Sequence, residues 1–414
     1  MVFPLNREKI RLISMAMVGN FLELYDFSLY GVLVPLIAPL YFPHADPFIG
    51  QIMALGVFTI GFLSRPLGAL IFGIIGDRKG RKAALMSSVI LMGVATGCMG
   101  ILPTYSQIGI VAPCLLIFLR ILQGISTGGE SNGSVVFVME HFPSHQRGLA
   151  SSLVSAATIS GVILSTFLAS VLTRSGMPEG AWRWCFIIGG FIGFFGFFIR
   201  RNLHESPLFQ QIMSENQLSK APLRETFKYA PVALMQTFLI SAAAGALQLT
   251  LAGFINIYLV DHLKLSFSLV ALLSSGSLVF YALILPLAGF VADRVNPLRL
   301  LLTSCALALL LMIPIYKLLQ TQQLVLIILA QAILAVICAL YMGAKSVTLF
   351  QLFKTRIRFT GMSLGYTAGI SLFGGFTPII SKTLINFNYT PALFPMMCAL
   401  ISGCTLCFMS RSKT

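Results

Sequence analysis

The chain has 414 residues, of which 57% are hydrophobic and only 10% are charged. Soluble globular proteins are typically about 45–50% apolar and about 25% charged, so this composition excludes an ordinary soluble protein. The net charge of +15 is spread over short segments between apolar runs. A nucleic-acid partner is not expected, because it would need that charge on one soluble face.

Long apolar runs, each with the ~20 residues that a transmembrane helix needs, recur along the chain. The first run contains Glu23 and Asp26 and is followed by no small-residue cleavage site, so we expect a retained helix and not a signal peptide. We predict an all-α membrane protein with twelve transmembrane helices. The predicted spans are 12–37, 50–75, 83–103, 110–138, 148–172, 183–200, 230–260, 266–292, 298–317, 321–350, 359–386 and 390–409.

The one long polar connection, 201–229, lies near the centre of the chain and contains two prolines. We interpret it as a cytoplasmic linker between two six-helix halves, residues 1–200 and 230–414. An internal repeat supports this division, because Gly73-x-x-x-Asp77-Arg78 recurs as Gly289-x-x-x-Asp293-Arg294 at the same loop of each half. Pseudo-symmetric halves of this kind are typical of secondary transporters.

The distribution of basic residues predicts the topology. Twenty Lys and Arg residues lie on the side of the N-terminus, and five lie on the opposite side. Since cytoplasmic loops carry the excess of positive charge, we expect both termini in the cytoplasm.

Several motifs resemble those of the major facilitator superfamily. The sequence Gly76-Asp77-Arg78-x-Gly80-Arg81-Lys82 is similar to its loop 2–3 signature, and Arg120-x-x-Gln123-Gly124 to its helix-4 signature. Three stretches resemble more specifically the metabolite–proton symporter branch, which includes proline/betaine, α-ketoglutarate, citrate and shikimate carriers: GNFLELYDFSLYG (19–31), RPLGALIFG (65–73) and LRILQGISTGGE (119–130). The chain departs from that branch at Leu24 and Ser131, where tryptophan is common, and this leaves the substrate open.

The resemblance implies a role for the charged loop. In the family this loop holds a neighbouring helix end when the inner gate is shut. We therefore predict a charge latch, with a tag that only fixes topology as the alternative. The predicted cytoplasmic gate comprises Gly76, Asp77, Arg78, Gly80, Arg81 and Lys82, with Asp293 and Arg294 in the second half.

Six charged residues fall inside predicted spans and away from the span ends: Glu23, Asp26, Arg65, Arg120, Glu130 and Lys345. Each costs at least about 2.5–3.5 kcal/mol near a bilayer centre unless it is paired or hydrated, so function or a static ion pair must explain it. At 1.5 Å per residue, Glu23 lies roughly 18 Å from Arg11, and Arg65 lies roughly 18 Å from Asp77. Glu23 and Arg65 should therefore share one depth.

These residues supply the candidate site. We expect Asp26 and Glu23, and then Glu130, to carry a coupling proton with Arg120 or Arg65 as modulator, because a neighbouring base changes the proton affinity of a buried acid. Candidate substrate-binding residues are Arg65, Tyr30, Gln123 and Lys345. For Lys345 the alternative is an ammonium group that reaches the membrane surface.

No phosphate-binding loop is present in the sequence, so a gradient must drive any uphill transport. We predict a proton-coupled symporter that imports a small carboxylate-bearing metabolite, an organic acid or a proline/betaine-type zwitterion, by alternating access. Proton-antiport efflux is the alternative. A channel is disfavoured because the sequence has two carrier-type halves, and a membrane enzyme is disfavoured because no nucleophile–base set clusters in the sequence.

The expected partners are the substrate, the proton and the lipid bilayer. The eight cysteines lie in apolar stretches, where we interpret them as buried hydrophobic residues, so no metal and no cofactor is expected. We expect a functional monomer in a cell membrane, the inner membrane of a bacterium.

Overall fold

The computed structural model describes residues 7–43, 46–174 and 176–411. These residues form helices and connections and contain no β-strand. Within them, twelve helical segments are long and apolar enough to cross a membrane, which confirms the predicted fold class and number of spans. Spans 1 to 12 are Arg7–Tyr41, Ile49–Arg78, Arg81–Ile101, Val111–His141, Ser144–Leu172, Arg183–Arg201, Pro231–His262, Ser268–Arg294, Pro297–Gln320, Leu324–Leu352, Thr355–Asn386 and Leu393–Arg411.

Four spans depart from a single α-helix. Span 2 consists of two helices, Pro47–Leu63 and Arg65–Arg78, because Pro66 has no N–H to donate to the carbonyl group of Phe62. Spans 5 and 11 open with 3₁₀ turns, and spans 7 and 11 contain π-helical turns. These turns are Ser144–Gln146, Thr355–Ile357, Thr250–Phe254, Tyr258–His262 and Ile370–Gly374.

The connections carry three short helices, Tyr105–Ile108, Pro207–Ser214 and Pro222–Tyr229. Two of them lie in the central polar segment. The first of these two begins after Ser206, whose hydroxyl accepts a hydrogen bond from the Phe209 amide at 3.2 Å. Proline at the first helical position is favoured, because its missing N–H would have no partner there.

The chain divides into two compact units. The first holds the described residues up to His141 together with Ala157–Leu223 and Thr355–Ser363. The second holds Phe142–Ala156, Arg224–Lys354 and the described residues from Leu364 onward. Each unit therefore contains most of one predicted half plus a short segment from the other; the boundaries predicted for the halves and the linker stay predictions.

Spans 2 and 4 approach closely in the first unit. A Cβ atom on Gly124 would collide with the carbonyl oxygen of Gly61, and one on Gly128 would collide with that of Arg65. Small residues at such positions let two helix backbones meet within a membrane. This contact brings Arg65 on span 2 beside the polar residues of span 4.

Candidate functional site

Four ionisable side chains gather on spans 1, 2 and 4 of the first unit. We call Glu23, Asp26, Arg65 and Arg120 the carboxylate–arginine cluster. Each residue is at most 8% exposed. An ionised group at that burial is costly unless other groups compensate its charge, so the contacts of each member decide what the cluster can do.

Glu23 lies between two polar partners. Its Oε1 atom is 3.9 Å from Nη1 of Arg65 and accepts a hydrogen bond from the Ser131 hydroxyl at 2.6 Å. The ion pair agrees with the common depth expected for Glu23 and Arg65. Ser131 was not among the predicted site residues; it is one of the positions where the resembling branch commonly has tryptophan.

Asp26 is connected to Arg120 through two other side chains. Nη1 of Arg120 donates to Oε1 of Gln123 at 2.8 Å, and Nε2 of Gln123 donates to the Thr96 hydroxyl at 2.9 Å. The Thr96 hydroxyl in turn hydrogen-bonds the Asp26 carboxyl group. Among the described residues Arg120 makes no direct ion pair with Asp26, so Gln123 and Thr96 connect the two side chains by hydrogen bonds.

Thr96 can serve both protonation states of Asp26. Its hydroxyl lies 2.8 Å from the carbonyl oxygen of Met92 as well as beside Asp26. A hydroxyl has one hydrogen and can also accept. It can donate to an ionised Asp26, or donate to Met92 and accept from a protonated Asp26. The site therefore permits reversible protonation without leaving Asp26 Oδ2 unpaired.

Aromatic rings pack against the guanidinium groups of the two arginines. The Arg120 guanidinium lies 4.4 Å from the centre of the Tyr30 ring, and that of Arg65 lies 4.2 Å from the Phe62 ring. Such cation–π contacts stabilise buried guanidinium groups. The Tyr30 hydroxyl donates to the carbonyl oxygen of Ala54 at 3.1 Å, so Tyr30 uses both its ring and its hydroxyl within the protein.

Glu130 lies in a different environment from the cluster. It forms a two-point ion pair with Arg200, at 2.5 Å and 2.9 Å, and accepts a hydrogen bond from Ser88 at 2.7 Å. Both charged side chains are fully buried. These contacts satisfy Glu130 and favour the static ion pair that the sequence left open. Arg200 ends the predicted sixth span and is one of the twenty basic residues counted on the side of the N-terminus; the structure buries it.

The predicted gate residue Asp77 caps the start of the α-helix of span 11. Its carboxylate accepts hydrogen bonds from the amides of Phe359 at 3.2 Å and Thr360 at 2.8 Å, and it pairs with Arg81 at 3.0 Å. Carboxylates are favoured at helix N-termini, where free N–H groups carry partial positive charge. Gly76 allows this approach, since a Cβ there would lie 2.7 Å from the Phe359 ring.

Arg81 extends this contact into a network of buried charges. It donates two hydrogen bonds to Glu140, at 3.0 Å and 3.1 Å, and Glu140 also accepts from Arg358 at 3.0 Å. Glu205 of the central segment accepts from the backbone amides of Arg81 and Lys82, both at 3.1 Å. We call these residues, with Asp77, the latch network. Glu140, Glu205 and Arg358 were not predicted.

The remaining gate residues of the first unit lie around this network. Gly80 has φ of 112°, a conformation open to glycine, and it precedes the first residue of span 3. The Lys82 ammonium donates to the carbonyl oxygen of Arg201 at 2.8 Å. Arg78 is exposed, which leaves it free to act as the topology signal that its charge suggests.

A second cap of the same kind occurs in the second unit. Asp293 accepts hydrogen bonds from the amides of Gly148 at 2.6 Å and Leu149 at 2.8 Å. The helix there begins at Arg147, so Asp293 occupies the register that Asp77 has toward span 11. Arg294 is exposed and stacks on the Phe290 ring at 4.1 Å. The two copies of the repeated motif thus cap one helix each.

Lys345 is 5% exposed in the second unit. Its ammonium lies 3.9 Å from the centre of the Tyr366 ring. Among the described residues no carboxylate pairs with it. A buried cation held by a ring face and lacking a counter-ion can accept the carboxylate of a ligand.

The sequence is similar to those of known transporters along most of its length. The profile of the sugar (and other) transporter family matches residues 12–233. The ectoine/proline transporter ProP of Corynebacterium glutamicum is 31% identical over 98% of this chain and 85% of its own length. The glycine betaine/proline/ectoine/pipecolic acid transporter OusA of Dickeya dadantii is 29% identical over 97% of this chain and 83% of its own.

A solved structure shows the same fold. The proton:xylose symporter XylE of E. coli, a protein of the major facilitator superfamily, superposes with a TM-score of 0.79 over 97% of this chain and 95% of its own, at 15% identity. The chain therefore belongs to the sugar (and other) transporter family and has the fold of the major facilitator superfamily. It is a multi-pass membrane protein that acts as a secondary transporter and not as an enzyme.

Proposed function

We propose that this transporter is a proton-coupled symporter that imports a small polar metabolite bearing a carboxylate. The observation that carries the proposal is the setting of Asp26: 3% exposed, hydrogen-bonded to Thr96, and linked through Gln123 to Arg120. A coupling residue must gain and lose a proton during each cycle, and Thr96 accommodates both forms.

The carboxylate–arginine cluster is balanced in charge when both acids are ionised. Protonation of Asp26 gives the cluster one net positive charge, which favours the binding of a carboxylate. Movement of Arg120 relative to Asp26 between conformations would then release the proton. Glu23 contributes to the cluster through its ion pair with Arg65, whereas Glu130 stabilises the fold through its ion pair with Arg200.

Lys345 is the proposed anchor for the carboxylate of the substrate. Its burial and its lack of a carboxylate partner in the described chain make an incoming anion its natural counter-ion. The relatives named above transport proline, ectoine or betaine by name, and these are zwitterions with one carboxylate. This class fits the proposed anchor.

Energetics make a zwitterion a productive substrate. One proton carried with a zwitterion moves one net positive charge, and a potential of 100 mV then supplies about 2.3 kcal/mol, or roughly fifty-fold accumulation. The excess of basic residues on the N-terminal side supports an orientation with both termini in the cytoplasm. The two relatives named above are bacterial, which favours the inner membrane of a bacterium as the location.

Uptake into proteoliposomes tests the proposal. Purified protein is exposed to labelled proline, glycine betaine, ectoine, α-ketoglutarate, citrate or shikimate under an imposed inward proton gradient, with and without a protonophore. We expect concentrative uptake of at least one compound, abolished by the protonophore. Concentrative uptake that is unaffected by the protonophore contradicts proton coupling. Export of a preloaded compound against its concentration gradient identifies an antiporter instead.

A further inference from the structure

A small cavity lies inside the carboxylate–arginine cluster. The centre of a water molecule can occupy ≈ 10 Å³ of it, so the cavity admits one water molecule. A metabolite is far larger, since ligand pockets hold roughly 300–1,000 Å³. The cavity is lined by Glu23, Asp26, Phe27, Gly61, Arg120, Gln123, Gly124 and Thr127.

Four buried polar atoms that belong to these lining residues have no hydrogen-bond partner among the described residues. They are Oε2 of Glu23, Oδ1 of Asp26, and Nε and Nη2 of Arg120. Two of them accept hydrogen bonds and two donate. One water molecule donates two hydrogen bonds and accepts two, so its capacity matches this set. Buried waters in proteins typically make about three such bonds to otherwise unsatisfied groups.

We propose that the cavity binds one water molecule, which donates to Glu23 and Asp26 and accepts from Arg120. This inference rests on the proposed function, because it makes the two acids one proton site. When Oδ1 of Asp26 is protonated, it donates to the water in place of one Arg120 N–H. Its proton then passes to the water oxygen while a water hydrogen passes to the Glu23 carboxylate. Asp26 is then ionised, Glu23 is protonated, and the water is regenerated.

Gly61 offers a way to fill the cavity without replacing any polar residue of the cluster. A Cβ atom at Gly61 would lie 3.2 Å from Nη2 and 3.5 Å from Nε of Arg120. The Gly61→Ala variant therefore places a methyl group against the cavity without a backbone collision. Gly56 is the matched control, because it lies on the same helix and a Cβ there meets nothing within 4 Å.

Infrared difference spectroscopy of the purified full-length protein tests the bridge. The C=O stretches of protonated Asp26 and Glu23 are assigned with Asp26→Asn and Glu23→Gln. In the native protein and in Gly56→Ala, we expect Glu23→Gln to shift the Asp26 band, since the acids share a water. In Gly61→Ala we expect that shift to be lost. If Glu23→Gln shifts the Asp26 band equally in Gly61→Ala, the bridge is overturned.

A structure at a resolution that reveals ordered water provides a second test. Density within hydrogen-bond distance of both Glu23 and Asp26 is expected, and a cavity without such density overturns the proposal. Neither measurement depends on transport. Failure of the uptake assay counts against proton coupling, whereas failure of these measurements counts against the water bridge alone.

Discussion

Arg200 fastens Glu130 to three other helices. Besides its ion pair with Glu130, its guanidinium donates to the carbonyl oxygens of Met15 at 3.2 Å, Ala16 at 2.8 Å and Leu85 at 3.0 Å. The pair therefore joins spans 1, 3, 4 and 6 of the first unit around one buried charge. Its hydrogen-bonding groups are consumed by the protein, which is the pattern of a structural element.

Neutralising Glu130 should destabilise the protein. Glu130→Gln leaves the Arg200 charge buried without its counter-ion, and breaking a buried ion pair in this way costs about 3–5 kcal/mol. We expect a lower thermal unfolding temperature and less folded protein in the membrane. Adding Arg200→Met should recover part of the loss, because the unpaired charge is removed as well.

The exposed ion pair between Asp261 and Lys382 provides the control for this prediction. Its side chains are 53% and 59% exposed, and surface pairs contribute only about 0–1 kcal/mol. Lys382→Met should leave the unfolding temperature almost unchanged. A Glu130→Gln protein with native stability but no transport would assign Glu130 to coupling and not to the fold.

The two helix caps should not contribute equally to transport. Asp77 is fully buried, binds Arg81 and accepts from two amides, whereas Asp293 is half-buried and accepts from two amides. Hydrogen bonds to charged groups contribute about 1.5–3 kcal/mol each. Asp77→Asn should therefore lower the initial uptake rate about tenfold or more, at normal expression, and Asp293→Asn should lower it less.

The loss of uptake expected in Asp77→Asn comes from a shift in the population of the transporter's conformations. A contact that forms in one conformation of a transporter sets the share of molecules in that conformation, so weakening it slows a cycle that depends on both. Uptake normalised to the amount of protein in the membrane measures the effect. Native uptake in Asp77→Asn, or a larger loss in Asp293→Asn, would show that the latch network does not set the transport rate.

Removal of the Lys345 charge should weaken substrate binding. Lys345→Met deletes one charge-assisted hydrogen bond, so the KM for the transported carboxylate should rise about tenfold or more. Lys345→Arg keeps a positive charge and should restore part of the affinity. Lys382→Met, which removes an exposed lysine, is the control, and an unchanged KM in Lys345→Met would exclude Lys345 as the anchor.

Hydropathy and helix geometry were sufficient to predict the spans and part of the cluster. The common depth of Glu23 and Arg65 follows from counting residues along each helix. In the structure, Oε1 of Glu23 lies 3.9 Å from Nη1 of Arg65. Helix counting also puts Gln123 on the same turn as Arg120, with which it bonds. These relationships depend on local periodicity, which a single sequence contains.

The partners that depend on tertiary packing could not be predicted. Glu140, Arg200 and Glu205 lie at span ends or in the central segment, where a charge looks like a topology signal. Thr96 and Ser131 carry no charge, and nothing local distinguishes them from hydroxyl residues that bond their own helix. Their roles appear only when helices distant in sequence are brought together.

The central claim is that a proton carried on Asp26 drives accumulation. Asp26→Asn should retain exchange of labelled for unlabelled substrate across proteoliposomes, because exchange needs no net proton movement, but should lose accumulation driven by a proton gradient. Asp261→Asn removes a half-exposed carboxylate outside the cluster and should retain both activities. Native accumulation in Asp26→Asn, dependent on the proton gradient, would contradict the claim.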